Sequence, residues 1–334
     1  MNAEKQSTSD KAESVEVCVV GAGFAGLRIA TALDQAGADY VVLDKGRSPG
    51  GRAATRRLES ARVDHGIPWL TRTGGLSDEL IDNLREAGML ERLFVGGSVG
   101  DAWTCPEGIN AVAKHLASGL NARFSERVEW IEPTGRGGMA RLRVSDADGQ
   151  TSEFGARHTI ITAPVPQAIE MAPFLAGQLG SVEPESIYEK AVLGLARLRH
   201  SGDIPEQVLF ENPAEGIESV ILESAKFPDR PPSVTIRCGP EASDRLFDAE
   251  DEEVWRWMAE RVAVLPFLAD EPEERQVKRW RYSKPAKPLP APFISLTFPE
   301  NTISACGDGF DTGSDTGLEA ALSSAQALLD RRPW

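Results

Sequence analysis

A glycine triplet set between two apolar, β-rich runs constrains this chain more than any other feature. Residues 15–20 (VEVCVV) are dense in β-branched side chains, the pattern of a strand buried on both faces of a parallel sheet. They run into Gly21, Gly23 and Gly26 of GAGFAG. Leu27, Ala30, Ala32 and Leu33 then recur at helical spacing up to Gly37, a helix stop. A second β-rich run over 40–43 ends in Asp44, eighteen residues beyond Gly26. Gly21 allows the tight strand-to-helix turn, Gly23 lets backbone approach a pyrophosphate, and Gly26 lets the helix pack against the strand. Phe24 and Ala25 lie within the same turn, where a helix N-terminus offers unpaired N–H groups and a positive dipole end. Asp44 is placed to accept hydrogen bonds from a ribose diol. A lone GxGxxG is weak evidence, but between two strands and with an acid at this distance it indicates a dinucleotide site.

The chain of 334 residues is long enough for one large domain or two intertwined ones. Its net charge of −15 argues against nucleic acid or an anionic membrane as a partner, because both select basic surfaces. The four cysteines, Cys18, Cys105, Cys238 and Cys306, are far apart and read as buried reduced thiols. No cysteine lies near any of the four histidines (His65, His115, His158, His200), so no metal site is expected. No apolar run has the length of a transmembrane helix, and residues 1–14 lack the apolar core of a signal peptide. The expectation is a disordered tail over 1–14 on a cytoplasmic protein.

Beyond Asp44, the loop KGRSPGGR leads through four arginines between positions 47 and 57 to Val63-Asp64-His65-Gly66. Of these arginines, Arg52 is the one expected to neutralise a pyrophosphate. Helical periodicity covers 76–93, with Leu76, Leu80, Leu84 and Ala87 on one face, and again 109–120. Short β-like pieces follow at 122–124, 128–131 and 140–144, then a hairpin turn at 146–149 and a strand over 159–162. Residues 167–275 alternate strands (191–198, 208–210, 219–223, 233–237) with proline-rich connections. A helix over 251–265 is expected to turn Val254, Trp257, Met258 and Val262 inward. The chain then returns to α/β character: VKRWRY over 277–282, a strand over 302–306 ending in Gly307-Asp308-Gly309, an acidic loop with Asp311 and Asp315, and a helix from Gly317 to Leu329.

This C-terminal strand–GD–loop–helix unit decides the cofactor. A strand ending in Gly-Asp beside the first strand would aim Asp308 at the middle of a long cofactor. The helix N-terminus near Thr316, Gly317 and Leu318 would point into the same crevice. A reduced flavin carries negative charge that a helix N-terminus stabilises, whereas an NAD-only enzyme has no need of such a return.

The chain resembles two-dinucleotide-fold flavoproteins of the amine oxidase superfamily, and within it the renalase-like branch. The resemblance is carried by VCVVGAGFAGLRIATAL, LDKGRSPGGRAATRR, VDHGIPWLT, PEGINAVAKHLA, TIITAPVPQA, KRWRYSKPA and ISACGDGF with TGLEAAL, in family order over most of the chain. It implies an α/β fold: a Rossmann-like FAD domain with an inserted α+β substrate domain containing an antiparallel sheet. The expected boundaries are 15–66, 106–166 and 277–334 for the FAD domain, and 67–105 and 167–276 for the substrate domain. The resemblance also implies non-covalent FAD. Gly21, Gly23 and Gly26 would cradle the pyrophosphate, with Asp44 on the adenosine ribose and Lys45, Gly51 and Arg52 along adenosine and pyrophosphate. Val128 would meet the adenine, Gly307 and Asp308 the ribityl or pyrophosphate oxygens, and Gly317 and Leu318 the flavin pyrimidine edge. This chain departs from the renalase-like pattern at Ile67-Pro68-Trp69-Leu70, beside the expected flavin ring, where a difference in substrate would show.

In such proteins the flavin carries the redox chemistry and the protein orients the substrate. That fits the lack of a Ser-His-Asp or paired-carboxylate signal here. The substrate-facing candidates are His65, Trp69, Trp280 and Tyr282, each equally readable as a structural residue. The expected substrate is a small reduced heterocycle such as an isomeric dihydronicotinamide dinucleotide, oxidised by hydride transfer with O₂ as acceptor. The alternatives are a flavin amine oxidase or desaturase, and a flavin-binding redox sensor without turnover. The three tyrosines make an aromatic amine cage harder to build.

Overall fold

The first strand, β1 (Glu13–Val20), takes the centre of the larger sheet, with Val17 to Val20 buried on both faces. The computed structural model describes residues 13–59, 61–96, 100–133, 136–199, 204–226, 230–314 and 317–331. Of the tail expected over 1–14, residues 1–12 lie outside the described residues, as do His200, Asp315 and Thr316; Glu13 and Ser14 belong to β1. The chain continues through α1 (Phe24–Gln35) into β2 (Tyr40–Asp44), which pairs parallel with β1. Gly37, at φ +66°, stops the helix while Ala38 N–H returns to the Leu33 carbonyl.

Next come the hairpin of β3 (Thr55–Leu58) and β4 (Ala61–Asp64), α2 (Gly75–Glu86), and the hairpin of β5 (Glu91–Gly96) and β6 (Gly100–Thr104). The helix expected over 76–93 stops early. Gly88 takes the left-handed region at φ +69°, Met89 N–H closes on the Leu84 carbonyl, and Leu93 falls in β5. Helix α3 (Ile109–Leu116) likewise ends before 120. Then follow β7 (Ala122–Phe124), β8 (Arg127–Glu132), β9 (Ala140–Ser145) and β10 (Thr151–Ile161). β10 starts well before the expected 159. Its first half pairs antiparallel with β9, and its second half runs parallel to β1.

After α4 (Val165–Met171) the chain builds a five-stranded antiparallel sheet. It contains β11 (Tyr188–Arg197), β12 (Leu209–Ala214), β13 (Ile217–Leu222), β14 (Ser233–Cys238) and, after α5 (Pro240–Leu246) and α6 (Asp251–Val262), β15 (Glu274–Pro285). The strand order is β12-β13-β14-β11-β15. Residues 277–285, grouped with the nucleotide fold from sequence, thus form the edge strand of this second sheet. One face packs on α5 and α6, where Gly194 makes room: a Cβ there would lie 2.7 Å from the Met258 sulfur. Trp255, with Val254, Met258 and Val262, points inward; Trp257 stays partly exposed, sandwiched by the guanidinium groups of Arg245 and Arg261. The opposite face sets Ala191, Leu193 and Leu195 against Leu58, Ala61 and Val63 of the β3–β4 hairpin. That hairpin joins the two sheets.

The chain closes with β16 (Ile294–Thr297), β17 (Thr302–Ala305) and α7 (Gly317–Arg331). β17 pairs parallel with β10, so β10 and not β17 is the neighbour of β1. The larger sheet has the order β16-β17-β10-β1-β2-β7, with β8 and β9 attached through β10. The architecture is mixed α/β: a Rossmann-like unit plus a separate antiparallel sheet, as expected.

Candidate active site

A cavity of about 1110 Å³ runs from the C-terminal ends of β1 and β2 to the second sheet. At its first end the strand-to-helix turn is built from backbone. Gly21 sits at φ +108°, and a Cβ on Gly26 would lie 2.0 Å from the Gly21 carbonyl oxygen, so this packing requires glycine. A Cβ on Gly23 would meet nothing within 4 Å, which leaves the turn open toward the cavity. The first N–H groups of α1 have no intrahelical acceptor and suit phosphate oxygens. Asp44 accepts backbone N–H from Ala22 and from Gly46, each at 2.6 Å. It therefore ties two loops together while lining the cavity, and its remaining lone pairs can take a hydroxyl. Lys45 donates to Gln167 at 3.0 Å, and burial pulls its pKa down. Val128, flanked by Arg127 and Glu129, closes this end.

The middle of the cavity is formed by the Gly50-Gly51 turn. Gly50 N–H donates to the Ala22 carbonyl at 2.8 Å, and a Cβ on Gly51 would come 3.6 Å from Gly23 Cα. Arg52 and Asp308 both face the cavity, but they are also each other's partners, in a bidentate pair with both contacts at 2.7 Å. Tyr188 donates to the same Asp308 carboxylate at 3.1 Å and lies 5.6 Å below the Arg52 guanidinium; burial drives the Tyr188 pKa up. Tyr188 carried no signal in the sequence. Its position depends on the start of β11 reaching across to the other sheet.

The cavity wall also includes Gly307 (φ +144°), Gly317 and Leu318 from the C-terminal unit, and Trp69, Trp280 and Tyr282, the last 5.8 Å from Tyr188. His65 is not on that wall. Its ring stacks behind Trp280, 5.5 Å between centroids, and its carbonyl accepts the Trp280 Nε1–H at 2.7 Å. Burial, helped by Lys278, depresses the His65 pKa to about 4, so the imidazole is neutral at ordinary pH. Gly26 is likewise off the cavity lining, acting through helix–strand contact. The other cofactor-binding candidates, Phe24 and Ala25 included, line it.

A buried ionic cluster behind the far wall was not read from sequence. Lys226 Nζ contacts Glu223 at 2.7 Å, Asp64 at 3.2 Å and the Pro68 carbonyl at 2.9 Å. Thr235 donates to Glu223 at 2.9 Å, Thr55 donates to Asp64 at 2.6 Å, and the N–H of Ile109, at the start of α3, donates to Asp64 at 3.1 Å. All three charged residues are buried, at 4% exposure for Asp64, 2% for Glu223 and 6% for Lys226. Desolvation raises the pKa of Glu223 despite Lys226, while the two carboxylates hold Lys226 protonated. Through the Pro68 carbonyl, the cluster fixes the segment carrying Trp69, whose ring lies 5.9 Å from Lys226 Nζ.

The cavity suits a long dinucleotide cofactor: open glycine backbone at one end, a helix N-terminus and Gly-Asp turn at the other, and side chains with both charges between. Among the described residues, none of the four cysteines and none of His65, His115 and His158 is on the lining, which fits a cofactor held without a covalent bond to those side chains. Among the described residues no group of three or more His, Cys, Asp or Glu could hold a metal ion, and no helix is long and apolar enough to cross a membrane.

Comparison with known proteins agrees with this geometry. Residues 19–86 match an NAD(P)-binding Rossmann-like domain, and residues 86–329 match the flavin-containing amine oxidoreductase family. Among solved structures, wild-type putrescine oxidase bound to putrescine is similar, at 14% identity and TM-score 0.65, over 96% of this chain and 99% of that one. A putative protoporphyrinogen oxidase from Exiguobacterium sp. 255-15 matches at 13% identity and TM-score 0.65, over 96% and 99%. A flavoprotein/dehydrogenase from Cytophaga hutchinsonii matches at 17% identity and TM-score 0.56, over 95% and 79%. At these identities the likeness to the solved structures is one of fold.

Proposed function

The chain belongs to the flavin-containing amine oxidoreductase family, and from that premise we propose a renalase-like oxidase of small reduced heterocycles such as isomeric dihydronicotinamide dinucleotides. Membership makes it an FAD-dependent oxidoreductase, and in this reading FAD is held without a covalent bond, which is supported by the lack of any cysteine on the cavity lining. When bound, FAD would supply the redox chemistry, a two-electron acceptor for the substrate hydride whose reoxidation by dioxygen, the acceptor in this reading, would give hydrogen peroxide.

The observation that carries the proposal is that three aromatic residues, Trp69, Trp280 and Tyr282, line the same cavity as Gly317 and Leu318. Flat aromatic faces there suit a planar ring. The carboxylate at that end, Asp308, is committed to Arg52 and Tyr188, and His65 is screened by Trp280. Hydride transfer from a dihydropyridine asks for stacking and orientation rather than a general base. In this reading Gly21, Gly23, Phe24, Ala25 and Asp44 hold the adenosine and pyrophosphate, with Lys45, Gly51 and Arg52 alongside. Val128 meets the adenine, and Gly307, Asp308, Gly317 and Leu318 attend the flavin end. The partner is a small molecule, not nucleic acid or membrane. A cytoplasmic setting is part of the proposal, supported by four free, buried cysteines.

Amine oxidation is the second reading, favoured by the family's name and by the putrescine oxidase fold. An anaerobic flavin-reduction screen of the purified yellow protein separates the readings. Rapid bleaching by 2- or 6-dihydronicotinamide dinucleotides supports the first. Bleaching by amines alone overturns it in favour of the second. Slow, unselective bleaching points to a flavin-binding redox sensor.

A further inference from the structure

The charged groups along the cavity are unevenly divided. Every carboxylate on its lining (Asp44, Glu126, Glu129, Glu170, Asp308) comes from the nucleotide-binding side. The second sheet contributes Arg237, Arg279, Arg281 and Lys284 and no acid, in a chain of net charge −15. The acids paired with these cations stand off the lining. Glu218 holds Arg237 Nε at 2.9 Å, Asp251 holds Arg279 at 2.5 Å, and Glu189 lies 3.4 Å from Lys284. Arg281 rests 5.0 Å over the Phe247 ring, with no carboxylate partner among the described residues. Along β15, Arg279 and Arg281 alternate with Trp280 and Tyr282, and the two arginine side chains reach Asp251, the Ala249 carbonyl and Phe247 beside α5 and α6, which leaves Arg237 as the cation to consider.

Arg237 is the best placed of the four. It projects from β14 with its side chain 20% exposed and donates from Nη2 to Ser283 Oγ at 2.7 Å. Ser283 also receives Arg52, through its carbonyl at 3.2 Å. The Arg52 charge is cancelled bidentately by Asp308, whereas Arg237 keeps three of its five N–H donors without a partner among the described residues. Glu218 and Ser283 fix the guanidinium plane, as an anion-binding fork requires.

We propose that the substrate carries an anionic group, phosphate or carboxylate, and that Arg237 binds it while Trp280 and Tyr282 face the oxidised ring. The inference rests on the reading that a small reduced molecule reduces the flavin in this cavity, and it runs against an alkylammonium substrate, which these cations would repel.

The test uses the FAD-loaded enzyme under anaerobic conditions with two dihydronicotinamides of the same ring chemistry: the uncharged riboside and the phosphate-bearing mononucleotide. The mononucleotide should half-saturate flavin bleaching at a concentration about tenfold lower. R237Q should erase that preference and R237K should restore part of it, with FAD content checked by visible absorbance. Equal half-saturation in the wild type, or a preference intact in R237Q, overturns the inference. If neither compound bleaches the flavin, the functional reading has failed, and the anion site is judged by titrating inorganic phosphate and acetate against the flavin spectrum. A perturbation by either that disappears in R237Q upholds the site and tells phosphate from carboxylate; no perturbation overturns it.

Discussion

The two ends of the cavity are made in different ways. The end proposed for adenosine is backbone: Gly21, Gly23 and Gly26 within one turn, and Asp44 accepting the N–H groups of Ala22 and Gly46. The substrate end is side chain, and its residues come from segments far apart in sequence: Trp69 in a loop, Arg237 in β14, Trp280 and Tyr282 in β15, and behind them Asp64, Glu223 and Lys226. A backbone cradle is specified by local spacing. A side-chain wall is specified only once the two sheets have docked.

The sharpest way to break the first end is steric. Gly26→Val places atoms where the Gly21 carbonyl already stands, 2.0 Å from a Cβ, with flexible side chains unable to absorb the clash. The expected outcome is loss of FAD loading and a destabilisation above about 4 kcal/mol, measured by visible absorbance and chemical denaturation. Near-normal loading would show that the turn is more plastic than its geometry implies.

The second end breaks electrostatically. Lys226→Met leaves Asp64 and Glu223 facing each other in the interior, and should cost about 3–5 kcal/mol in denaturant-measured stability. Glu223→Gln keeps the amide within reach of Lys226 and Thr235 and leaves one carboxylate for one ammonium, so it should cost far less. If the two variants are equally destabilised, shape rather than charge holds the cluster. Loss of the Pro68 contact in the Lys226 variant should also raise the substrate KM more than it lowers FAD retention, because the released segment carries Trp69.

The difference between the ends explains what could be read from the sequence. The β1–α1–β2 unit, the strands β11 to β14 and the tight glycine turn after β1 follow from short-range periodicity and turn chemistry, and they stand close to where they are expected. The segment Asp64-His65-Gly66 was recognised as a motif but not understood. Its three residues do three separate things: Asp64 enters the ionic cluster, His65 backs Trp280, and Gly66 packs against the Arg52 carbonyl, where a Cβ would come within 1.7 Å. The partners Lys226, Glu223, Trp280 and Arg52 all lie more than ten residues from it. Edge strand β15 was misplaced for the same reason: its partner, β11, is set by tertiary pairing rather than by pattern.

A pH experiment examines the side-chain end without disrupting it. The folded-state pKa of His65 is depressed from 6.5 to about 4, so between those values the unfolded chain binds the proton more readily. Stability should therefore be intact above about pH 6.5 and fall as pH drops toward 4, by roughly 2 kcal/mol once its partial exposure is allowed for. His65→Phe keeps a ring against Trp280 and removes this titration. The variant's stability curve should be flatter than wild type over that window, while the carboxylates, shared by both proteins, cancel. Parallel curves would mean that His65 reaches water more freely than its stacking on Trp280 suggests.

The smallest expected effect lies back at the adenosine end. Asp44→Ala removes the acceptor for Ala22 N–H and Gly46 N–H as well as the proposed ribose contact. The helix, the glycines and the Gly50–Ala22 backbone bond all remain. Because the cradle is mostly main chain, FAD should still bind, with affinity weakened by about tenfold, on the order of 1–2 kcal/mol. Isothermal titration of the apoprotein with FAD measures this directly. An unchanged affinity would mean that Asp44 serves only to tie the two loops together. A total loss would mean that those two short hydrogen bonds, more than the glycines, hold the turn in its open form.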